Sequence, residues 1–156
     1  MSDPTGPNPA ELLGDLSMDL LISKSSLFEK LDDAGRKRLL EGGTLENYPP
    51  NAVLMTEGEP GDSFYFIKTG AVEVTTMKGP DKIKLADLGA GDFFGEVSVI
   101  TAQPRTATVI ALSPVVAIKF QRRKISRVLM DYPDVTKVLN AKIEDRAADT
   151  ISKILK

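Results

Sequence analysis

One stretch of the chain is organised like a ligand-binding loop: Phe93-Phe94-Gly95-Glu96-Val97-Ser98-Val99-Ile100-Thr101-Ala102-Gln103-Pro104-Arg105-Thr106-Ala107-Thr108-Val109. Gly95 can adopt backbone angles that other residues resist, which lets a ligand come close to the main chain. Glu96 then begins a short apolar helix. The first amides of such a helix lack internal partners and carry the positive end of its dipole, so this end suits an anion, above all phosphate.

Arg105 lies close enough along the chain to return to the start of that helix. Pro104 limits the helix to about six residues, a rise of about 9 Å. Residues 101–105 are then long enough to come back, because an extended residue covers about 3.3 Å. The planar guanidinium of Arg105 is therefore predicted to hold two phosphate oxygens while backbone amides hold the others.

Glu96 requires a different partner, because a phosphate repels a carboxylate. A hydroxyl donor such as a ribose 2′-OH suits it. A phosphate next to a free 2′-OH describes a 3′,5′-cyclic nucleotide. The simpler alternative is an ordinary turn and helix start, with Arg105 paired to Glu96 and no ligand present.

The order aromatic-Gly95-Glu96, apolar helix, Arg105-Thr106-Ala107 resembles the phosphate-binding cassette of the cyclic nucleotide-binding domain family. The resemblance implies that Glu96 holds the ribose hydroxyl and that Arg105 holds the cyclic phosphate. Ser98 stands where an alanine is common in the family; it leaves the backbone N–H available and adds a hydroxyl near the phosphate. The ligand-binding residues implied by the resemblance are Leu88, Gly95, Glu96, Val97, Ser98, Arg105, Thr106, Ala107 and Arg146.

The composition excludes several kinds of chemistry. The 156 residues include no Cys and no His, which excludes disulfides, thiol nucleophiles, Cys/His zinc sites and histidine bases. The net charge of −2 gives no indication of a nucleic-acid partner. No signal peptide or long apolar run is present, so we expect a cytoplasmic protein without a membrane partner.

The chain divides into four parts, which together form a flexible tail and one domain. Residues 1–9, with their prolines, are predicted to form the tail. Residues 10–42 are predicted to be helical, with a helix from Ala10, a short helix capped by Ser25-Ser26, and another capped by Asp32 or Asp33. Residues 43–121 are predicted to form a β-barrel that carries the cassette at 93–109, and residues 122–156 to form the C-terminal helices.

Short β runs broken by Gly and Pro turns indicate a barrel or sandwich. The runs cover residues 44–48, 52–56, 63–68, 71–77, 82–88, 107–111 and 115–121. The family resemblance, which covers residues 25 to about 150, implies a jelly-roll barrel with N-terminal helices and C-terminal lid helices. The expected fold class is therefore mainly β with flanking α.

The last helix is predicted to begin at Pro133 and to carry one apolar face as far as Leu155. Core or dimer packing accounts for that face by itself. In the resembled family, however, this helix folds over the nucleotide as a lid. The pair Tyr132-Pro133 followed by Asp145-Arg146 is most similar to cyclic nucleotide-gated and hyperpolarisation-activated channels, which implies that Arg146 reaches the purine. By the same resemblance Leu88 and Val97 line the base and sugar.

The function expected from these patterns is that of a cyclic nucleotide sensor and not of an enzyme, with no cofactor and no metal. Cyclic AMP is favoured; Thr106 also admits cyclic GMP, because its hydroxyl can reach either the phosphate or the 2-amino group of a syn guanine. A downstream effector protein is expected, and the chain either acts on a separate partner, as a stand-alone protein, or is one piece of a larger one. Two alternatives remain: an interaction scaffold that has lost the ligand, and a jelly-roll enzyme using Asp or Glu with a divalent metal.

Overall fold

The computed structural model describes residues 29–155. Within this range, eight β-strands form the centre of the fold, with helices before, within and after them. The strands are β1 Gly43–Tyr48, β2 Val53–Met55, β3 Ser63–Thr69, β4 Ala71–Lys78, β5 Asp81–Gly89, β6 Phe93–Phe94, β7 Thr108–Ala111 and β8 Val115–Gln121. The helices are α1 Asp33–Glu41, α2 Glu96–Thr101, α3 Arg122–Asp131 and α4 Pro133–Leu155. The predicted tail at 1–9 and the helix from Ala10 lie outside the described residues, as do the capping residues Ser25 and Ser26.

The strands form two four-stranded sheets, in the orders β1-β8-β3-β6 and β2-β7-β4-β5. Every pair is antiparallel, and strands far apart in sequence, such as β1 and β8, lie side by side. This wrapping of distant strands around two sheets is a jelly-roll arrangement. The predicted fold class, mainly β with flanking helices, is confirmed.

Alternation along β3 divides the core into two parts, because successive side chains of a strand point to opposite faces. Tyr65 and Ile67 are buried between the sheets, together with residues of β7 such as Val109. Phe64 and Phe66 point to the other face and pack against the helices. One sheet therefore has apolar side chains on both faces.

The helices cover the outer face of that sheet. Asp32 caps α1, because its carboxylate accepts a hydrogen bond from the Gly35 amide at 2.7 Å. Of the two caps predicted from the sequence, Asp32 and Asp33, the structure therefore has the first. The Tyr132 hydroxyl, between α3 and α4, donates to the same carboxylate at 2.8 Å. Arg38 of α1 also forms an ion pair with Asp131 of α3 at 2.8 Å. These contacts fix the point from which α4 departs.

Helix α4 begins at Pro133 as predicted, but its apolar face is not buried along its whole length. Val135 and Leu139 in its first half are 1% and 0% exposed. Ile151 and Leu155 near its end are 58% and 79% exposed. The first half anchors the helix in the core, and the second half extends over the barrel. Across residues 29–155, no helix combines the length and apolar character that membrane spanning requires.

Candidate functional site

A cavity of about 440 Å³ lies between α2, the strands and the second half of α4. That volume is within the range of about 300–1,000 Å³ typical of small-molecule sites. The structure brings all nine predicted site residues to its lining: Leu88, Gly95, Glu96, Val97, Ser98, Arg105, Thr106, Ala107 and Arg146. Residues as far apart in the chain as Glu96 and Arg146, 50 positions, thus line the same cavity.

Gly95 forms the turn from β6 into α2. Its φ of 87° lies in the left-handed region, and a Cβ there would come within 3.0 Å of Arg105 Nη1 and 3.1 Å of the Ser63 carbonyl oxygen. Both the angle and the space require glycine. Helix α2 covers Glu96–Thr101, the six residues that Pro104 was predicted to allow. The first residues of α2 line the same cavity as Arg105.

Arg105 returns to the start of α2, as its position in the sequence predicted. Its side chain is buried, and Nη1 donates to the carbonyl oxygens of Ser63 at 2.8 Å and Gly95 at 3.2 Å. Burial lowers the pKa of the guanidinium, which nevertheless stays charged at neutral pH. A buried cation is therefore held at the cavity wall by carbonyl groups, and no carboxylate within residues 29–155 forms an ion pair with it.

The loop before β3 makes room for this arginine. A Cβ on Gly61 would lie 2.2 Å from Arg105 Nε and 2.3 Å from Cζ. The backbone of Arg105 is fixed by two further hydrogen bonds, from its amide to the Glu59 carbonyl at 2.9 Å and from the Gly58 amide to its own carbonyl at 2.8 Å. The Glu57–Ser63 segment thus positions both the main chain and the side chain of Arg105.

Glu96 forms its ion pair with Arg146 of α4, and not with Arg105 as the ligand-free alternative expected. Arg146 Nη1 donates to both carboxylate oxygens, at 2.9 Å to Oε2, while Nη2 donates to the Phe93 carbonyl at 2.6 Å. The Glu96 side chain is 3% exposed and that of Arg146 29%. The last helix is therefore tied to the residue that begins α2.

Two polar residues of the cassette differ in what they offer the cavity. The Ser98 hydroxyl donates to the Gln103 carbonyl at 2.9 Å, so the additional donor that the sequence suggested near the phosphate is used to close the turn after α2. Thr106 is exposed and lines the cavity. Ser98 can therefore offer a ligand its backbone N–H. The Thr106 hydroxyl can form a hydrogen bond with the ligand group that it reaches.

Several lining or supporting residues were not identified from the sequence. Ser63 and Gly61 support Arg105 from 42 and 44 positions away, and a small-residue turn before β3 was the one sequence feature that pointed to them. The apolar wall and the α4 rim of the cavity include Met55, Val74, Leu85, Phe94, Val109, Ile143, Asp149, Thr150 and Ile151. The period-2 pattern of the strands indicated which residues point inward but not which of them border empty space.

The chain is similar to known proteins in sequence and in fold. Residues 45–132 match the family model described as the cyclic nucleotide-binding domain. The chain is 30% identical over 118 residues to the cyclic nucleotide-gated potassium channel mll3241 of Mesorhizobium japonicum, covering 76% of this chain and 32% of the channel. It is 38% identical over 95 residues to the channel RHE_CH03180 of Rhizobium etli, covering 61% of this chain and 25% of that one. The chain thus spans about a third or less of these relatives.

Among solved structures, the regulatory domain of Toxoplasma gondii PKA with cAMP has the same fold. The two superpose with a TM-score of 0.73 at 26% sequence identity, over 82% of this chain and 49% of that one. The match thus covers far more of the chain than the cassette alone. It agrees with the fold class and with the family resemblance read from the cassette residues.

Proposed function

The chain belongs to the cyclic nucleotide-binding domain family, and on that premise we propose that it is a regulatory module that binds a cyclic nucleotide and couples binding to closure of α4. The observation that carries this proposal is the placement of Arg105, the first residues of α2 and Glu96 on one cavity beneath α4. The first two suit a cyclic phosphate and the third a ribose hydroxyl.

The cyclic phosphate binds at the Arg105 end of the cavity. Arg105 is held at the Ser63 and Gly95 carbonyls and is covered by the barrel, so it meets a ligand with little loss of side-chain freedom. The α2 amides add donors whose dipole favours an anion. Because the surroundings are mostly apolar, this charge attraction is stronger than it is in water.

Closure of α4 is the response that ligand binding produces. Ile143, Arg146, Ala147 and Ile151 of the second half of α4 line the cavity, whereas the first half is anchored in the core. A ligand that contacts both the cassette and this half favours the closed position, by no more than the difference between its affinities for the two positions. An effector protein that senses the position of α4 completes the proposed role.

Cyclic AMP is the favoured ligand and cyclic GMP the second candidate. The solved relative from Toxoplasma gondii holds cAMP, and Thr106 is able to accept either nucleotide. The ligand is bound and released unchanged, a proposal supported by a sequence without His or Cys as base or nucleophile. Chromatography of the nucleotide after hours of incubation tests this part, and turnover contradicts it.

Titration calorimetry with cyclic AMP and cyclic GMP tests the main proposal. Saturable heat is expected from both, with the lower Kd for cyclic AMP. Heat from neither nucleotide overturns the proposal and favours the interaction scaffold. A lower Kd for cyclic GMP retains the binding function and reverses only the ligand preference.

A further inference from the structure

The loop between β2 and β3, called the support loop below, runs over the surface of the domain and holds the main chain of Arg105. Its residues Gly58, Glu59 and Pro60 are exposed, so apolar packing does little to fix them. Two backbone hydrogen bonds nevertheless join Gly58 and Glu59 to Arg105. Contacts other than apolar burial must therefore keep the support loop in place.

Glu57 begins this loop, and its carboxylate reaches the outer end of β4. Its Oε2 accepts a hydrogen bond from the Thr76 hydroxyl at 2.9 Å, and its Oε1 accepts one from the Met77 amide at 3.1 Å. The Glu57 amide in turn donates to the hydroxyl of Thr108 in β7 at 3.0 Å. One half-buried residue is thus bonded to two neighbouring strands of the sheet β2-β7-β4-β5.

The Glu57 carboxylate takes the place of a strand at this edge of β4. Strand β7 pairs with β4 only along residues 72–75, where Thr75 lies opposite Thr108. Beyond that pair, β4 continues to Lys78 with β5 on one side and no strand from residues 29–155 on the other. A backbone amide in a sheet needs an acceptor. Glu57 Oε1 provides that acceptor for the Met77 amide.

The same residue fixes the backbone on both sides of Arg105. Thr108, which accepts from the Glu57 amide, lies three positions after Arg105. On the other side, the Gly58 amide donates to the Arg105 carbonyl at 2.8 Å, and the Arg105 amide donates to the Glu59 carbonyl at 2.9 Å. A shift of Glu57 therefore displaces Arg105, although Glu57 is not among the described residues that line the cavity.

We propose that Glu57 is a positioning residue: by bonding the support loop to β4, it keeps the Arg105 guanidinium in an orientation that distinguishes the two exocyclic oxygens of a cyclic phosphate. The inference rests on the proposed function for its ligand and on the observed hydrogen bonds for its mechanism. The acceptor geometry of Glu57 carries the effect, and not its charge, because a negative charge by itself opposes an anionic ligand.

Calorimetry with cyclic AMP separates geometry from charge at Glu57. Glu57→Ala removes both acceptors and is expected to raise Kd roughly threefold to thirtyfold, which is part of the loss expected when Arg105 itself is removed. In Glu57→Gln the amide oxygen accepts from Met77 and the amide nitrogen donates to the Thr76 hydroxyl, which rotates to accept. Its Kd should therefore stay within about twofold of native. A Kd in Glu57→Ala at or below the native value overturns the inference, as does a Glu57→Gln as weak as Glu57→Ala.

The two phosphorothioate isomers of cyclic AMP, Sp and Rp, measure the orientation of Arg105. Each isomer has sulfur, a weak hydrogen-bond acceptor, in place of one exocyclic oxygen, so a fixed guanidinium distinguishes them. The native affinities are expected to differ at least about tenfold, and the ratio to fall to about threefold in Glu57→Ala. A variant that is only less stable keeps the native ratio. An unchanged ratio in Glu57→Ala, or equal native affinities, overturns the inference.

Thr76→Val tests the same hydrogen bond from the side of β4 and keeps the shape of a buried side chain. It is expected to raise Kd by a smaller factor than Glu57→Ala, and the double variant to bind no more weakly than Glu57→Ala alone. Full additivity overturns the inference. Glu73→Ala is the matched control, because Glu73 is also a half-buried carboxylate and lies on β4 itself. Its Kd and its isomer ratio should match native.

Hydrogen exchange of the Gly58 and Arg105 amides in the ligand-free protein, followed by NMR, tests the anchor without any nucleotide. Glu57→Ala is expected to speed exchange of both amides at least about tenfold, and Glu57→Gln by less than about threefold. Unchanged exchange in Glu57→Ala overturns the inference. If the native protein binds no nucleotide but the exchange rates change as expected, the proposed function fails while the anchoring of Arg105 by Glu57 stands.

Discussion

Arg105 Nη1 lies 2.8 Å from the carbonyl oxygen of Ser63, although the two residues are 42 positions apart in the chain. Because this bond joins the start of β3 to the end of the cassette, the guanidinium is in place before any ligand arrives. Preorganisation of this kind lowers the entropy cost of binding. The main anion-binding group of the proposed site is thus positioned by the barrel itself.

Arg105→Ala should weaken cyclic nucleotide binding by about 2–5 kcal/mol, since the bound phosphate loses its charged partner in a buried site. Titration calorimetry measures the change. Arg105→Lys should fall between native and Ala, because an ammonium keeps the charge but lacks the planar fork. Arg123→Ala, at an exposed position of α3, is the matched control. Unchanged affinity in Arg105→Ala removes Arg105 from the phosphate site.

Gly61→Ala should weaken nucleotide binding indirectly, by displacing Arg105 and not by a contact of its own with the ligand. The added Cβ would lie 2.2 Å from Arg105 Nε and 2.3 Å from Cζ, so the guanidinium has to leave its place. We expect a loss of roughly 1–3 kcal/mol in binding, part of the loss in Arg105→Ala, since the displaced cation stays near the cavity.

Gly89→Ala is the control for this loop substitution. A Cβ there approaches nothing closer than the Gly70 carbonyl oxygen at 3.9 Å, and its affinity should match native. The double variant Gly61→Ala with Arg105→Ala provides the decisive comparison. Gly61→Ala should cause little further loss of binding free energy once the Arg105 side chain is absent. Full additivity of the two losses contradicts the steric mechanism.

Local chemistry explains why much of the fold was predictable from the sequence. Pro104 set the end of α2, Pro133 the start of α4, and Asp32 the cap of α1. Gly and Pro turns separated the strands well enough to place β3 to β5 within a residue or two. Each of these features acts on its own neighbours in the chain, so no knowledge of tertiary structure was needed.

The partners of the cassette residues were less predictable, because tertiary packing determines them. The short sequence distance between Gly95 and Arg105 was enough to predict that they meet. The Ser63 carbonyl and the space at Gly61 depend on where β3 lies, and no residue type signals either. Arg146 was identified as a residue of the lid, but its pairing with Glu96 depends on how the first half of α4 is anchored.

The two halves of α4 should respond differently to truncation. Leu139 is fully buried, so Leu139→Ala should lower the free energy of unfolding by about 2–5 kcal/mol. Ile151 is 58% exposed and lines the cavity, so Ile151→Ala should change that free energy by less than about 0.5 kcal/mol. Urea unfolding of the ligand-free protein measures both.

Calorimetry, which measures nucleotide binding, should rank the same two variants in the opposite order. Ile151→Ala should weaken nucleotide binding by roughly 0.5–1.5 kcal/mol, because part of the apolar cover of the cavity is lost. If Ile151→Ala instead destabilises the free protein as much as Leu139→Ala does, the second half of α4 belongs to the core and has no separate role as a cover.

The pH dependence of unfolding should reveal how much the hydrogen bonds that hold α1 to the start of α4 stabilise the protein. The Gly35 amide and the Tyr132 hydroxyl both donate to Asp32 and lower the pKa of its carboxyl below the ordinary 3.8. A carboxyl whose pKa is lower in the folded state stabilises the protein above its unfolded pKa. This contribution disappears as the pH falls through the lowered folded value.

Tyr132→Phe removes one donor and should move the Asp32 pKa back towards its ordinary value. The variant should therefore be less stable than native at pH 7, and the difference in stability should narrow below about pH 4 and disappear as the pH falls through the lowered folded pKa of Asp32. Urea unfolding at pH 7 and at pH 3 measures the two gaps. An equal gap at both values means that the hydroxyl acts only through packing, because a bond to an ionised carboxylate has to weaken when that carboxylate is protonated.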